Sequence, residues 1–175
     1  EAFVIFGRST AFPAVFDSDS LDGSNGFTLI GPTQNFGQFG LGGFAGDING
    51  DGFDDVVASK VNLNGEVFVV YGKSSGFSSQ VRVADLDGTD GFRITAEIER
   101  GEEVRFGRFP STAGDFNGDG FADIVFGDSQ SAVNGNRSGQ AYVLFGSPTP
   151  LPATFDRSTL DGTNGFALNG IDADD

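Results

Sequence analysis

A short segment that occurs twice is the feature that most constrains the fold of this chain. Residues 46–55 read GDINGDGFDD and residues 114–123 read GDFNGDGFAD. Counted from the first Asp, side-chain oxygens stand at positions 1, 3, 5 and 9, a glycine at position 6, and a carbonyl is available at position 7. This spacing suits a hard cation, because alternate residues turn their oxygens inward and glycine permits the sharp turn. Since the carboxylates would otherwise repel one another, we predict two Ca²⁺ sites rather than a pair of ordinary polar turns.

The composition indicates a folded all-β protein. Of 175 residues, 38% are hydrophobic and 20% charged, as in ordinary globular domains. The 20 Phe are the main core-forming residues, because Met, Trp, Cys and His are all absent. The 28 Gly recur in turns between short apolar runs, which favours strands over helices.

The charge and the missing residue types exclude several functions. A net charge of −15 disfavours nucleic acid or an acidic membrane surface as a partner, and two Ca²⁺ would reduce it to −11. No apolar run is long enough for membrane insertion, and the chain opens on strand-like residues rather than a signal peptide. Loops of this kind need the millimolar calcium found outside cells, so we expect an extracellular protein, secreted or at the cell surface.

Two further markers repeat along the chain and define a longer unit. Residues 2–7, 67–72 and 141–146 align with one another, as do residues 21–27, 86–92 and 160–166, and both markers are spaced by 65 and then 74 residues. Each unit is predicted to contain four short strands. The predicted strands are 36–45 and 106–113, 55–58 and 123–126, 67–71 and 141–145, and 91–95 and 165–168.

Four-stranded antiparallel units in tandem are typical of β-propeller blades, although a β-sandwich stays open as an alternative. The predicted division is residues 1–35 as the second half of a preceding blade, 36–105 as one blade and 106–175 as another. About two and a half blades do not form a closed ring alone. The predicted partners are therefore other blades of the same longer chain or further copies of it.

The loops and their flanks resemble the FG-GAP repeat of integrin-α-like β-propellers, bacterial secreted type. The resemblance rests on Phe106-Gly107, on Ala113-Gly114-Asp115 with the loop that follows, and on residues 45–55 in the first repeat. The Phe-Gly of the first repeat is ambiguous between 36–37 and 39–40. Residues 58–60 and 127–129 replace the Gly-Ala-Pro of the family.

The resemblance implies one calcium ion in each loop between the first two strands of a blade. It also implies an extracellular protein without enzymatic activity, serving adhesion, recognition or scaffolding, with an extracellular protein or a glycan as ligand. The implied ligands of the first loop, 47–55, are Asp47, Asn49, Asp51, Asp55 and the Phe53 carbonyl. Those of the second loop, 115–123, are Asp115, Asn117, Asp119, Asp123 and the Phe121 carbonyl.

Other motifs leave alternatives open. An EF-hand is rejected, because position 12 is Ala58 in one loop and Phe126 in the other rather than Glu. The Leu-Asp-Gly segments are interpreted as tight turns, with further cation sites as the alternative. The acidic run at 97–103 is interpreted as a solvated loop, with ligand contact as the alternative. Residues 136–138 form a single glycosylation sequon at Asn136.

Two further hypotheses for the function compete with the calcium-stabilised module. One is a self-assembling, filament-like subunit that neighbouring copies complete head to tail. The other is an accessory domain of a carbohydrate-active secreted enzyme. Because the chain has no His and no Cys, any catalysis would need a carboxylate pair outside the cation loops.

Overall fold

The computed structural model describes residues 1–32, 38–61, 65–95 and 106–173. Within these ranges the chain forms strands and three single 3₁₀ turns, and no α-helix, which confirms the all-β prediction. The turns are Ser18–Ser20, Val83–Asp85 and Arg157–Thr159. The strands are β1 Ala2–Ile5, β2 Gly26–Ile30, β3 Gln38–Gly46, β4 Asp55–Val61, β5 Glu66–Val70, β6 Gln80–Arg82, β7 Gly91–Thr95, β8 Phe106–Gly114, β9 Asp123–Asp128, β10 Gln140–Leu144, β11 Thr154–Asp156 and β12 Gly165–Asn169.

The strands form three sheets, and none of them closes into a barrel. Their orders are β1-β2-β6, β11-β7-β5-β4-β3 and β12-β10-β9-β8. In the two larger sheets, four strands pair antiparallel in the same succession, β3-β4-β5-β7 and β8-β9-β10-β12. This succession is the predicted four-stranded arrangement of propeller blades.

Two short parallel strands were not predicted from the sequence. β6 pairs with β2, and β11 pairs with β7, so each joins the outer edge of the preceding sheet. The link is reinforced by backbone hydrogen bonds, because Thr28 N donates to Ser79 O (2.9 Å) and Arg93 N donates to Ala153 O (3.1 Å). Both segments lie between the predicted third and fourth strands of a unit, where no strand was predicted.

Successive sheets bury apolar side chains between them. Phe27, Leu29, Phe68 and Val70 belong to the cluster between the first and second sheets. The cluster between the second and third sheets is larger; it contains Ala45, Ile48, Val57, Val67, Val69, Tyr71, Phe92, Ile94, Phe106, Ile124, Phe126, Tyr142, Leu144 and Phe155. Phe27 and Phe68 in the first cluster, and Phe92 and Phe106 in the second, are the largest fully buried side chains, which agrees with Phe as a main core-forming residue.

The register of the strands fixes where the predicted loops lie. The first loop connects β3 to β4 and the second connects β8 to β9, so both occupy the same place in their sheets. The exact blade boundaries stay a prediction, since residues 33–37 and 96–105 are outside the described ranges. The Phe-Gly pair at 36–37 is also outside them, whereas Phe39 and Gly40 lie on β3.

Candidate cation loops

The two loops divide their oxygen-bearing side chains between solvent and the interior. The oxygen-bearing side chains at positions 1, 3 and 5 stand in the turn-rich part of each loop, at its solvent side. The carboxylates at position 9, Asp55 and Asp123, are the first residues of β4 and β9, and both are fully buried. Position 9 is therefore an anchor inside the sheet, and positions 1, 3 and 5 form the outer part of the loop.

The first Asp of each loop organises the turn through backbone donors. Asp47 Oδ1 accepts the N–H groups of Gly50 (2.7 Å) and Asp51 (3.0 Å), and its Oδ2 accepts that of Gly52 (2.8 Å). The glycines at positions 4 and 6 have positive φ, 76° and 89°, a conformation that other residues rarely adopt. The second loop repeats these three bonds around Asp115 at 2.8, 2.9 and 2.9 Å.

Positions 3 and 5 face each other across the loop. Asn49 Oδ1 accepts the N–H of Asp51 (3.0 Å), and Asn49 Nδ2 donates to Asp51 Oδ2 (3.1 Å). The corresponding bonds between Asn117 and Asp119 are 3.0 and 2.8 Å long. A cation in either loop would replace the amide-to-carboxylate bond, because it attracts the oxygens of both side chains.

The buried carboxylates bind two N–H groups from different parts of the sheet. Asp55 Oδ2 accepts from Ile48 N (2.8 Å) and Oδ1 accepts from Gly72 N (2.8 Å), at the end of β5. Asp123 does the same with Phe116 N (2.6 Å) and Gly146 N (2.9 Å). These two glycines were not predicted to contact the loops, although each ends the repeated marker of the third strand.

Burial raises the pKa of Asp55 to about 7, and the carboxylates of Asp51 and Asp47 add to the rise. The N–H groups of Gly72 and Ile48 act in the opposite direction, because they stabilise the charged form. A nearby cation would also favour the charged form. The electrostatics of Asp55 therefore couple its protonation to any cation held by the loop.

The two loops are in direct contact. Ala122 N donates to Asp47 O (2.9 Å), and Ser147 N donates to Ile48 O (2.9 Å). A Cβ at Gly50 would lie 2.3 Å from the Phe121 ring, so the first loop rests closely on the second. In the second loop, among the described residues other than its chain neighbours, no atom lies within 4 Å of the Cβ position of Gly118, which is the equivalent glycine.

The chemistry of the donors fits calcium. Among the described residues, no three His, Cys, Asp or Glu side chains form a group that could hold a metal ion by themselves. Each loop instead combines carboxylate, amide and carbonyl oxygens, the mixed all-oxygen set that Ca²⁺ uses. A carboxylate oxygen that accepts one N–H keeps a second lone pair. The predicted ligands thus retain acceptor capacity for an ion.

The three Leu-Asp-Gly segments have the hydrogen bonds of tight turns. In the first, Asp22 Oδ1 accepts from the N and Oγ of Ser24 (2.8 and 2.7 Å), and Gly23 has a φ of 91°. The same bonds hold the turns at Asp87 and Asp161. These hydrogen bonds lower the pKa of all three carboxyl groups.

Other predicted features lie at the surface or outside the described residues. Asn136 is exposed in a turn between β9 and β10. The acidic run at 97–103 lies outside the described ranges. In the part of the chain that the structure describes, no helix is long and apolar enough to cross a membrane.

Comparison with known proteins supports the resemblance seen in the sequence. The family described as "FG-GAP repeat" matches residues 106–144, which include the second loop. Integrin alpha-4 of Xenopus laevis is 27% identical over 135 residues, covering 74% of this chain and 12% of the integrin.

A second relative has an enzyme's name. Phosphatidylinositol-glycan-specific phospholipase D of Dictyostelium discoideum is 31% identical over 140 residues, covering 74% of this chain and 15% of that protein. The chain thus spans a small part of the length of both relatives. Together with the sheets and loops described above, these matches identify the chain as a protein of the FG-GAP, integrin-α-like fold, with an FG-GAP repeat at residues 106–144.

Proposed function

We propose that this chain is a non-enzymatic, calcium-binding segment of an extracellular β-propeller. The observation that carries the proposal is the equivalence of the two loops, which repeat the same residue types and the same side-chain hydrogen bonds at the same place in their sheets. Both loops have the same architecture and many oxygen ligands. Binding of the same kind of ion in each loop explains this better than turn formation alone.

The role of the ion is structural in this proposal. Calcium would sit among Asp47, Asn49, Asp51, the Phe53 carbonyl and Asp55 in the first loop, and among their equivalents in the second. Its charge would offset the repulsion between the carboxylates and would favour the ionised form of Asp55. Because Asp47 O accepts a hydrogen bond from Ala122, ordering one loop also orders its contact with the other sheet.

The extracellular location and a role in adhesion, recognition or scaffolding follow from the family resemblance and are part of the same proposal. The chain offers no His or Cys for acid–base or nucleophilic catalysis. The clustered carboxylates of the described residues are taken up by the loops and the Leu-Asp-Gly turns. Binding of a protein or glycan at the loop face therefore suits the chain better than catalysis.

Thermal unfolding tests the structural role of the ion. We expect millimolar Ca²⁺ to raise Tm above its value with a chelator, and equal Mg²⁺ to raise it much less, because Mg²⁺ requires a stricter six-fold site. The double variant Asp51→Ala, Asp119→Ala should lose the response to Ca²⁺. If Ca²⁺ and Mg²⁺ raise Tm equally, the effect is general screening of charge and the proposal is overturned.

An assembly with further blades is a second candidate, favoured by the outer face of the third sheet. There Phe116 and Leu168 are 61% and 56% exposed, whereas their equivalents Ile48 and Ile94 in the second sheet are buried under the third. A further blade of the same chain, or a blade of another copy, would bury these side chains. Analytical ultracentrifugation distinguishes these two sources. If the chain self-associates and Leu168→Glu abolishes the self-association, the covering blade comes from another copy.

A further inference from the structure

The third sheet donates two backbone hydrogen bonds to the first loop. Ala122 N, at the end of the second loop, donates to Asp47 O, and Ser147 N, shortly after β10, donates to Ile48 O, each at 2.9 Å. Both acceptors stand at the start of the first loop, one on the predicted ligand Asp47 and the other on the residue after it. The following repeat therefore helps to position the start of the first loop.

The hydrogen bond from Ala122 connects two peptide groups in series. Its donor belongs to the peptide group whose other end is the Phe121 carbonyl, a predicted ligand in the second loop. Its acceptor belongs to the peptide group whose other end is the Ile48 N–H, which donates to Asp55 Oδ2 (2.8 Å). Asp55 is the buried predicted ligand of the first loop. Two peptide groups in line thus connect a predicted ligand of one site to a predicted ligand of the other.

A second backbone connection runs through Gly146. Its N–H donates to Asp123 Oδ1 (2.9 Å), the buried carboxylate of the second loop, and the next N–H, that of Ser147, donates to Ile48 O. A Cβ at Gly146 would lie 2.4 Å from Ala122 O and 2.7 Å from Ile48 O. The backbones of the two loops are therefore too close at this point to admit a side chain between them.

Side chains of the second loop also cover the first. The Phe121 ring lies against Gly50, since a Cβ there would be 2.3 Å from the ring. Gly50 N donates to Asp47 Oδ1 (2.7 Å), so the ring covers backbone that holds the first predicted ligand. Ala122 packs against the buried cluster between the sheets, whereas its equivalent in the first loop, Asp54, is exposed.

These contacts predict how an ion in one loop affects the other. A cation at the Phe121 carbonyl would polarise its peptide group and strengthen the N–H of Ala122 as a donor, because hydrogen bonds in series reinforce one another. An occupied second loop would also hold its donors in place, so the first loop loses less conformational freedom when it binds its own ion. Charge repulsion between two cations has the opposite sign. The sign of the coupling therefore separates the two effects.

We propose that the two calcium sites are positively coupled and that Ala122 is the positioning residue between them, its N–H holding Asp47 in place when the second loop is occupied. The inference rests on the proposed function, since it requires that both loops bind Ca²⁺. Because coupling is reciprocal, an ion in either loop raises the affinity of the other by the same factor, about fivefold or more. The chain then takes up its two ions over a narrower range of calcium concentration than independent sites would.

Titration of each loop by NMR tests the coupling in the isotope-labelled chain, at a temperature where the chelator-treated protein stays folded. The amides of Gly52 and Gly120 report the two loops, because each donates to the first Asp of its own loop. Asp119→Ala should weaken Ca²⁺ binding at Gly52 by about fivefold or more, and Asp51→Ala should weaken binding at Gly120 by the same factor. Local damage from the substitutions has no reason to obey this equality.

A backbone variant tests the connection itself. Ala122→Pro removes the N–H donor and leaves every predicted ligand in place. Asp54→Pro makes the same change at the equivalent position of the first loop, which lies beside β1. The coupling factor, measured with and without Asp119→Ala, should fall to about one in Ala122→Pro and should stay at about fivefold or more in Asp54→Pro. Equal factors in the two proline variants would overturn the role of Ala122.

The hydrogen bond can also be followed directly, without a proline. In the Asp51→Ala chain, Ca²⁺ fills the second loop alone. The scalar coupling across the hydrogen bond from the Ala122 nitrogen to the Asp47 carbonyl carbon should then increase, and the Ile48 amide should move downfield. The Tyr71 amide, which donates to Asp90 O (3.0 Å), is the control and should not move.

The outcomes separate this inference from the proposed function. If both loops bind Ca²⁺ but each single variant keeps the parent affinity at its remaining loop, or binds more tightly there, the coupling is overturned and the calcium sites stand. An unchanged scalar coupling from Ala122 to Asp47 on loading the second loop would also overturn it. If neither loop of the parent chain binds Ca²⁺, the proposed function and the coupling are both wrong.

Discussion

The N–H of Ala122 donates to the carbonyl oxygen of Asp47 at 2.9 Å, so the two predicted calcium loops support each other across the boundary between sheets. The donor is the residue before the buried Asp123, and the acceptor is the first residue of the other loop. We therefore expect a change in the conformation of one loop to disturb its contact with the other. The two loops are joined to each other by a backbone hydrogen bond as well as alike in sequence.

Alanine at Gly50 tests the packing of one loop on the other. Gly50→Ala and Gly118→Ala replace equivalent glycines of positive φ, 76° and 78°, at a shared cost of about 1–2 kcal/mol. Only at Gly50 does the new Cβ collide with the Phe121 ring, 2.3 Å away, which adds roughly 1–3 kcal/mol. Chemical denaturation should show the larger loss at Gly50. Equal losses would mean that the loops do not press on each other.

The raised pKa of Asp55, about 7, predicts a pH dependence of stability without calcium. The folded state holds this proton more tightly than the unfolded state, so the contribution is fully present below about pH 4. It is lost as the pH rises towards 7, by roughly 2–4 kcal/mol. The exposed carboxyls of the Leu-Asp-Gly turns have lowered pKa values, so they affect stability only at a lower pH than Asp55 does.

Urea unfolding between pH 4 and 7 in a chelating buffer measures this effect. Stability should fall across the window, Asp55→Asn should flatten the profile, and Ca²⁺ should restore stability near pH 7 because it favours the ionised carboxylate. A profile for Asp55→Asn that still falls as steeply as that of the parent chain would contradict the assignment to Asp55.

Arg157 stabilises the seam between the second and third sheets. Its guanidinium lies 5.3 Å from the Phe106 ring centroid and 5.1 Å from that of Tyr142, and it occupies the position of the buried Val83 in the preceding repeat. Arg157→Ala should cost about 1–2 kcal/mol through lost cation–π contact and packing. The exposed Arg82→Ala should stay within about 0.5 kcal/mol. Similar effects of the two substitutions in thermal unfolding would show that the rings do not hold the cation.

The parallel strand β11 should be needed for the second sheet. Phe155, at its centre, is 6% exposed and belongs to the cluster beneath the third sheet. Phe155→Ala should destabilise the chain by about 3–5 kcal/mol. Amide hydrogen exchange should rise at Arg93 and Thr95 of β7, the partner strand. If the amides of β7 stay protected from exchange in Phe155→Ala, then β11 does not stabilise β7.

The sequence predicts the four main strands of each repeat because their apolar residues recur at equal spacing and short turns separate them. Val67 to Val70 and Gly91 to Thr95 are examples. It does not predict β6 and β11, because three residues are too few to show alternation and their partners come from the preceding sheet. Their fixed distance before each Leu-Asp-Gly turn was the available signal.

In the loops, the residue types and spacing predict the oxygen donors but not how each is used. Asp47 and Asp55 look alike in sequence, yet one caps the turn and the other is buried beneath it. The difference arises from the sheet, since Gly72 reaches Asp55 only when β5 lies beside β4. Contacts of this kind depend on tertiary packing and cannot be read from a local motif.

Isothermal titration of the chelator-treated chain with Ca²⁺ tests the central claim most directly. We predict two ions bound per chain, one after Asp51→Ala or Asp119→Ala, and none after both substitutions, with the folded state verified by circular dichroism. Failure of the parent chain to bind Ca²⁺, or a double variant that still binds two ions, would contradict the assignment of calcium to these loops.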